Sequence, residues 1–414
     1  MSRLLTGTCA VVLVFSLILF LAFHHGNGAD IHQQWTTDDI RNMQHLRFSA
    51  QSIADKNNSN ELLFRADAIE LGRRLFNDPG MSRSGQVACA TCHRPEEGYQ
   101  DTNLMTLKLN PEAPHRAPGL LGVALQDWFF RDGRADTLWS QALAPIENPS
   151  EHATTRLQAV RHLCAQYEAS FPALLADCRQ ISLPDAPLHA SPLVANENWQ
   201  MLSAAQREHI NKLFVRLGKS IAAFEAGLLP DISRFDLYVD AIVAGNPAEA
   251  ATILNEKEAA GLKLFLDTQV GCVNCHYGPM FSSSGFSVVA TDTPGQPEHD
   301  RQRGVKLLLE SEFNCLKWDK PESCPKLLYI KTEGEEMLGA YKVPSLRNLR
   351  YAPAFMHDGR FQTLEAVIEH YRNPPTLPLR HVDIRPAALL PHQREQLLSF
   401  LNVLGTGVHP REIQ

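Results

Sequence analysis

Two pentapeptides constrain this chain more than anything else in it: Cys89-Ala90-Thr91-Cys92-His93 and Cys272-Val273-Asn274-Cys275-His276. Two thiols three positions apart, followed at once by an imidazole, have the spacing of a c-type haem attachment site. The thiols reach the two vinyl groups of one porphyrin and the histidine reaches its iron. One such motif is also compatible with a zinc site or a redox cysteine pair. Two, each after a helical run, point to two covalently bound haem c groups on Cys89, Cys92, Cys272 and Cys275, with His93 and His276 as iron ligands. The cofactor then carries the hard chemistry. What stands on the opposite face of each iron decides between electron transfer and reactivity.

The chain repeats itself. Gly72-Arg73-Arg74-Leu75-Phe76 resembles Gly261-Leu262-Lys263-Leu264-Phe265, each leading into a Cys motif. Gln86-Val87-Ala88-Cys89 resembles Gln269-Val270-Gly271-Cys272. Downstream, Pro118-Gly119-Leu120 and Arg131-Asp132-Gly133-Arg134 match Pro344-Ser345-Leu346 and His357-Asp358-Gly359-Arg360 at a constant offset of 226. A repeat of this size means two copies of one domain. Apolar spacing predicts helices over 61–76, 205–226, 255–266, 363–371 and 391–403, so the fold class is mostly α. Asn255 with Glu258 reads as a helix start. Gly245-Asn246-Pro247 reads as the joint between an N-terminal haem domain, 30–245, and a C-terminal one, 246–414. Residues 182–192 and 282–303 read as loops.

The 414 residues carry a formal charge of −7 and no basic run, which argues against nucleic acid and weakly favours a basic electron-donor protein. Residues 10–23 form an apolar stretch after Arg3, short for a full span and suited to a signal-peptide core. Residues 1–29 therefore read as a signal peptide or a retained membrane anchor, and either exports the rest of the chain to the periplasm. Apart from the four haem thiols and Cys9 of the leader, Cys164, Cys178, Cys315 and Cys324 remain. In an oxidising compartment the local pairings Cys164–Cys178 and Cys315–Cys324 are expected as disulfides.

The offset of 226 also compares the two irons. Tyr371, in Glu369-His370-Tyr371-Arg372, falls opposite Pro145, in Leu143-Ala144-Pro145-Ile146. If this point faces the haem, one half offers a phenol oxygen and the other no ligating atom. Gln141 lies one helical turn before Pro145, and Glu151 lies just beyond it. A carboxylate there can move a proton between the two oxygens of peroxide, and a carboxamide can donate a hydrogen bond.

These residues resemble the bacterial di-haem cytochrome c peroxidase and MauG family, over roughly residues 62–403. The resemblance rests on both Cys motifs, Asp132-Gly133-Arg134-Ala135, Gln141-Ala142, Val343-Pro344-Ser345-Leu346-Arg347-Asn348 and Met356-His357-Asp358-Gly359. It implies two cytochrome c-like helical domains. It also implies hydrogen peroxide reduction at the N-terminal haem, with electrons relayed through the C-terminal haem from a small periplasmic cytochrome or cupredoxin. Glu151 and Gln141 fall on the family's catalytic positions, and Tyr371 on the sixth ligand of the second haem, tyrosine in MauG and methionine in typical peroxidases. Met356 is the nearest rival ligand. His357 falls on an inter-domain histidine. Three positions depart from the pattern. Arg131 replaces the tryptophan usual between the haems. Arg116, with Ala352-Pro353-Ala354, alters the calcium site, so calcium stays open. Lys108 stands where a displaceable distal histidine is found, with His115 its nearest substitute. The alternatives are a MauG-like oxidase acting on a partner protein and a non-enzymatic di-haem electron carrier. The sequence leaves open a homodimer and the retention of the anchor.

Overall fold

A computed structural model describes residues 30–49, 59–101, 117–180, 192–291, 300–318, 324–376, 381–405 and 407–408. The leader, Lys108, His115 and Arg116 lie outside the described residues, as does most of the 182–192 loop.

The helices that matter here are α1 (Thr37–Leu46), α2 (Ala66–Phe76), α3 (Cys89–Cys92), α4 (Leu138–Glu147), α5 (Arg156–Tyr167), α6 (Ala204–Glu225), α7 (Arg234–Val243), α8 (Glu256–Leu266), α9 (Cys272–Cys275), α10 (Arg301–Glu310), α11 (Leu364–Arg372) and α12 (Pro391–Val403). Strands are confined to two short antiparallel pairs, Ile232–Ser233 with Gly407–Val408 and Phe286–Ser287 with Tyr341–Lys342. The mostly α expectation holds. The first predicted helix is shorter than its apolar spacing suggested and begins at Ala66 rather than 61. There the Asn60 side chain accepts the Leu62 N–H at 3.0 Å, and this local bond competes with a helical turn. At Asn255 the capping box is complete, the cap side chain accepting from Glu258 N and Glu258 accepting from the cap N–H.

The duplication is visible in the backbone itself. Phe129 bridges Ala135, and Phe355 bridges Phe361, 226 positions on. Phe130 and Met356 both take positive φ, 63° and 66°, a conformation that side chains of this size adopt rarely. Thr137 caps α4 and Thr363 caps α11 through the same side-chain bond. Asp132 pairs with Arg134, and Asp358 with Arg360.

Each copy is built on a crossing of two helices, α2 against α6 and α8 against α12. A glycine sits at each crossing. A Cβ on Gly72 would fall 1.9 Å from the Ser220 carbonyl oxygen, and one on Gly261 2.0 Å from that of Gln396. Only hydrogen lets the backbones approach so closely.

Two large apolar cores result. Leu71, Phe76, Trp139, Leu143, Leu163, Phe214 and Leu217 centre the first. Phe235, Tyr238, Phe265, Phe281 and Phe400 centre the second. The change of core falls between Leu228 and Phe235, ahead of Gly245, because α7 already packs with α8 and α12. Gly245 itself is a turn with φ +76° inside the second unit. The exchange runs both ways. Met43 and Leu46 of α1 belong to the second core, and Phe313 to the first. Disulfides join Cys164 to Cys178 and Cys315 to Cys324, as the compartment argument expected.

Candidate functional site

Each Cys motif forms a single helical turn, α3 or α9, ending in its histidine. None of the four cysteines is in a disulfide, whereas the other described cysteines all are. The histidines are oriented alike. His93 Nδ1 lies 3.0 Å from the Tyr99 carbonyl oxygen, and His276 Nδ1 2.8 Å from that of Phe281. A carbonyl only accepts, so Nδ1 carries the proton and Nε2 keeps its lone pair. That is how a second contact prepares an imidazole for a metal. Burial lowers both histidine pKa values, which favours the neutral ligating form. Cysteines, histidines, Gln141, Glu151 and Tyr371 all sit deep in the fold yet stay partly accessible, lining space rather than filling core. The donor set and its setting fit a haem in each half.

Around the first motif, α4 presents Gln141 with its Oε1 buried and no hydrogen-bond partner among the described residues. The turn that follows carries Glu151, whose Oε1 accepts from Asn148 Nδ2 at 2.5 Å. Burial raises the Glu151 pKa, against the opposing pull of Asn148 and the charge of Arg134. A cavity of about 300 Å³ opens beside it, lined among others by Arg83, Ser84, Val87 and Ser150. Pro145 lies inside the last turn of the same helix and contributes no ligating atom.

In the second half the equivalent helix, α11, brings Tyr371 close enough to Cys272 and Cys275 for their charges to act on it. Burial first, then those two thiols, push the phenol above its usual range. Its hydroxyl has no hydrogen bond among the described residues, whereas the adjacent His370 is occupied by the Val289 carbonyl at 2.7 Å. Met356, the rival ligand, sits at the strained turn before the Asp-Gly-Arg block. His357 stacks on Tyr341 with ring centroids 3.7 Å apart, and its Nδ1 lies 3.4 Å from the Thr291 hydroxyl.

Two groups escaped the sequence reading. Glu225, 4% exposed, has Oε2 unpartnered and a pKa pushed up to about 8 by burial, and its charge bears on Cys89 together with that of Glu151. Lys342 lies beside Arg131 between the two halves. Glu225 ends a long amphipathic helix, and Lys342 immediately precedes the quoted Val343-Pro344-Ser345 segment. Neither had a local signal beyond its charge.

Two copies of one helical unit, each with a Cys-x-x-Cys-His turn, define a cytochrome c-like di-haem fold. Residues 66–242 match the family model for di-haem cytochrome c peroxidase. The chain is 28% identical over 341 residues to the methylamine utilization protein MauG of Methylorubrum extorquens, covering 82% of this chain and 78% of that protein. It is 26% identical over 305 residues to cytochrome c551 peroxidase of Nitrosomonas europaea, covering 73% and 72%. Among solved structures, the diheme peroxidase BthA of Burkholderia thailandensis superposes with a TM-score of 0.56 at 21% identity, covering 84% of this chain and 87% of that one. A MauG-like protein associated with microbial copper homeostasis gives 0.52 at 20%, covering 92% and 97%. The chain is thus similar to the di-haem cytochrome c peroxidases and MauG, a family of oxidoreductases that implies two haem cofactors.

Proposed function

We propose that this protein is an exported di-haem c-type peroxidase that reduces hydrogen peroxide to water in its N-terminal half. Cys89 and Cys92 would hold one haem covalently with His93 Nε2 on its iron, and Cys272 and Cys275 the other with His276. When bound, these groups supply one-electron redox chemistry at iron. The protein's part is to bind, orient and move protons. Glu151, poised by a raised pKa and kept in place by Asn148, takes the proton from one peroxide oxygen and returns it to the other as the O–O bond breaks. The Gln141 carboxamide donates a hydrogen bond to the bound oxygen. Two electrons and two protons complete the conversion of one peroxide to two waters, the electrons arriving through the second half from a small cytochrome or cupredoxin.

The observation that carries this reading is the asymmetry at one repeated point. Pro145 leaves the first site free of a protein ligand on that helix, while Tyr371 brings a phenol to the second. The MauG-like alternative, oxidation of a partner protein, is favoured by the same Tyr371 and disfavoured by Arg131, which is not readily oxidised. Among the described residues no helix is long and apolar enough to cross a membrane. The deciding experiment adds peroxide to the all-ferric protein and follows rapid-scan absorbance and freeze-quenched EPR. Rapid loss of a high-spin ferric signal supports an open first site. Reaction only after one-electron reduction indicates a first iron closed at rest. Inertness in both states would leave an electron carrier.

A further inference from the structure

The same contact is made twice across the join between the halves, once in each direction. Gly122 and Asn348 stand 226 positions apart and both take positive φ, 72° and 58°. Each opens one short 3-10 turn, Val123–Leu125 or Leu349–Tyr351. Each turn is tied to the chain leaving its own half's helix crossing. The Gly122 N–H donates to the Leu228 carbonyl at 2.6 Å, and the Asn348 N–H to the Leu404 carbonyl at 3.1 Å. Each then lies on the other half. A Cβ on Gly122 would fall 2.4 Å from Met280 Cε, and Leu125 shares a small buried cluster with Met280. A Cβ on Gly98 would fall 2.4 Å from Cδ2 of Tyr351, and the next nearest atoms also belong to the Tyr351 ring.

Both contacts fall one residue before a carbonyl that orients an iron-binding histidine. Gly98 precedes Tyr99, and Met280 precedes Phe281, the residues whose carbonyls accept from His93 and His276. Tyr99 and Phe281 are themselves left-handed, with φ 57° and 49°. A residue with a side chain keeps that conformation only where its surroundings impose it. Phe281 has an anchor of its own. Its ring is fully buried, with centroids 5.2 Å from Phe235 and 5.5 Å from Phe265. The Tyr99 ring is only partly buried, edge-on to Phe76 at 6.1 Å. The first loop therefore leans on Tyr351. Arg350 braces that ring from its own side. Its guanidinium lies 4.6 Å over the ring, donates to the phenol oxygen at 2.6 Å and donates to Asp231 at 2.7 Å.

We propose that Tyr351 of the second half is a positioning residue for His93 of the first: seated on Gly98, it fixes the Tyr99 carbonyl and with it the bond to His93 Nδ1–H. The inference rests on a haem held at Cys89–His93. A firm bond from Nδ1–H to a carbonyl makes the imidazole a better donor through Nε2, which favours ferric iron. The second half thereby holds down the reduction potential of the first.

The test reads the holoprotein, wild type against Tyr351→Ala and Tyr351→Phe, with haem content equalised by pyridine haemochrome assay. Spectroelectrochemistry gives the two midpoints, and resonance Raman of the reduced protein gives the iron–histidine stretch. Tyr351→Ala should make reduction of one haem about tenfold more favourable, about 59 mV for one electron, and leave the other midpoint in place. The iron–histidine band should fall in frequency. Tyr351→Phe keeps a ring on Gly98 and should retain the wild-type values. Unchanged midpoints in Tyr351→Ala would overturn the proposal. Both midpoints moving together would also overturn it, since a general loosening does that. If Tyr351→Ala gives no folded holoprotein, Tyr351→Leu is read by the same criteria. Wild-type protein with no haem on the Cys89–Cys92 peptide, by mass spectrometry, would overturn this inference and the two-haem reading together. No reading uses peroxide, so inertness toward peroxide would count against the peroxidase proposal alone.

Discussion

Pro145 and Tyr371 occupy one point of a repeated helix, and the proposed function turns on that single difference. Replacing Tyr371 with Phe removes the only oxygen that α11 offers at that point, so the second haem should change to a five-coordinate or water-ligated optical and EPR spectrum. An unchanged spectrum would exclude the phenol as ligand. Glu151→Gln keeps the shape and the Asn148 contact but loses the carboxylate. It should slow peroxide cleavage by about 10²–10⁴-fold in single-turnover mixing while both haems stay bound. The pH dependence has a definite sign. Because burial raises the Glu151 pKa, its base form is reached only at higher pH than for an ordinary glutamate. The rate should therefore rise with pH through that raised value in the wild type, and this limb should vanish in the variant.

At the scale of elements, the two glycine crossings fix the geometry on which both motifs hang. Gly261→Ala places a methyl group against the Gln396 carbonyl, where backbone, not a flexible side chain, must yield. It should destabilise the protein by about 1–3 kcal/mol in denaturant titrations and lower haem occupancy of the C-terminal half in particular. Much of this level was legible beforehand. The paired Gly–Leu–Phe helices, the offset of 226 and the Asn255 cap are local patterns, and a local pattern survives in sequence. Tyr371 is matched to Pro145 by counting along that offset, and Gln141 and Glu151 are read from their places beside Pro145 and from the family resemblance. What could not be read was non-local. Nothing near Phe313 says that it packs in the first core, and nothing near Lys342 says that Arg131 lies against it. The helix predicted from 61 was shortened by the Asn60 side chain, which satisfied the Leu62 N–H outside a helix.

Across the whole molecule, one buried ion pair ties the repeated Val343–Asn348 segment to α7. Arg347 and Asp236 are each 1% exposed and meet in two bonds of 2.8 Å, while Asp236 also accepts from Phe48 N. Arg347→Met should cost about 3–5 kcal/mol in chemical denaturation, because it strands a charge inside the protein. Glu225 sets a global pH trend. Its pKa is near 8 folded and ordinary unfolded, so between these values the native state holds the extra proton. Stability should fall by up to about 1.4 kcal/mol per pH unit as pH rises through that window, and Glu225→Gln should flatten the slope.

The exchange of Met43, Leu46 and Phe313 between the two cores bears on how the chain is made. A ribosome delivers residues in order, yet the first half cannot close its core until position 313 has emerged, and the second uses residues delivered at the start. Neither half is a finished folding unit when its own Cys motif appears. A haem attached at Cys89 as soon as that motif emerged would meet a chain still incomplete, and a gene cut at Gly245 would yield two fragments, each missing part of its interior.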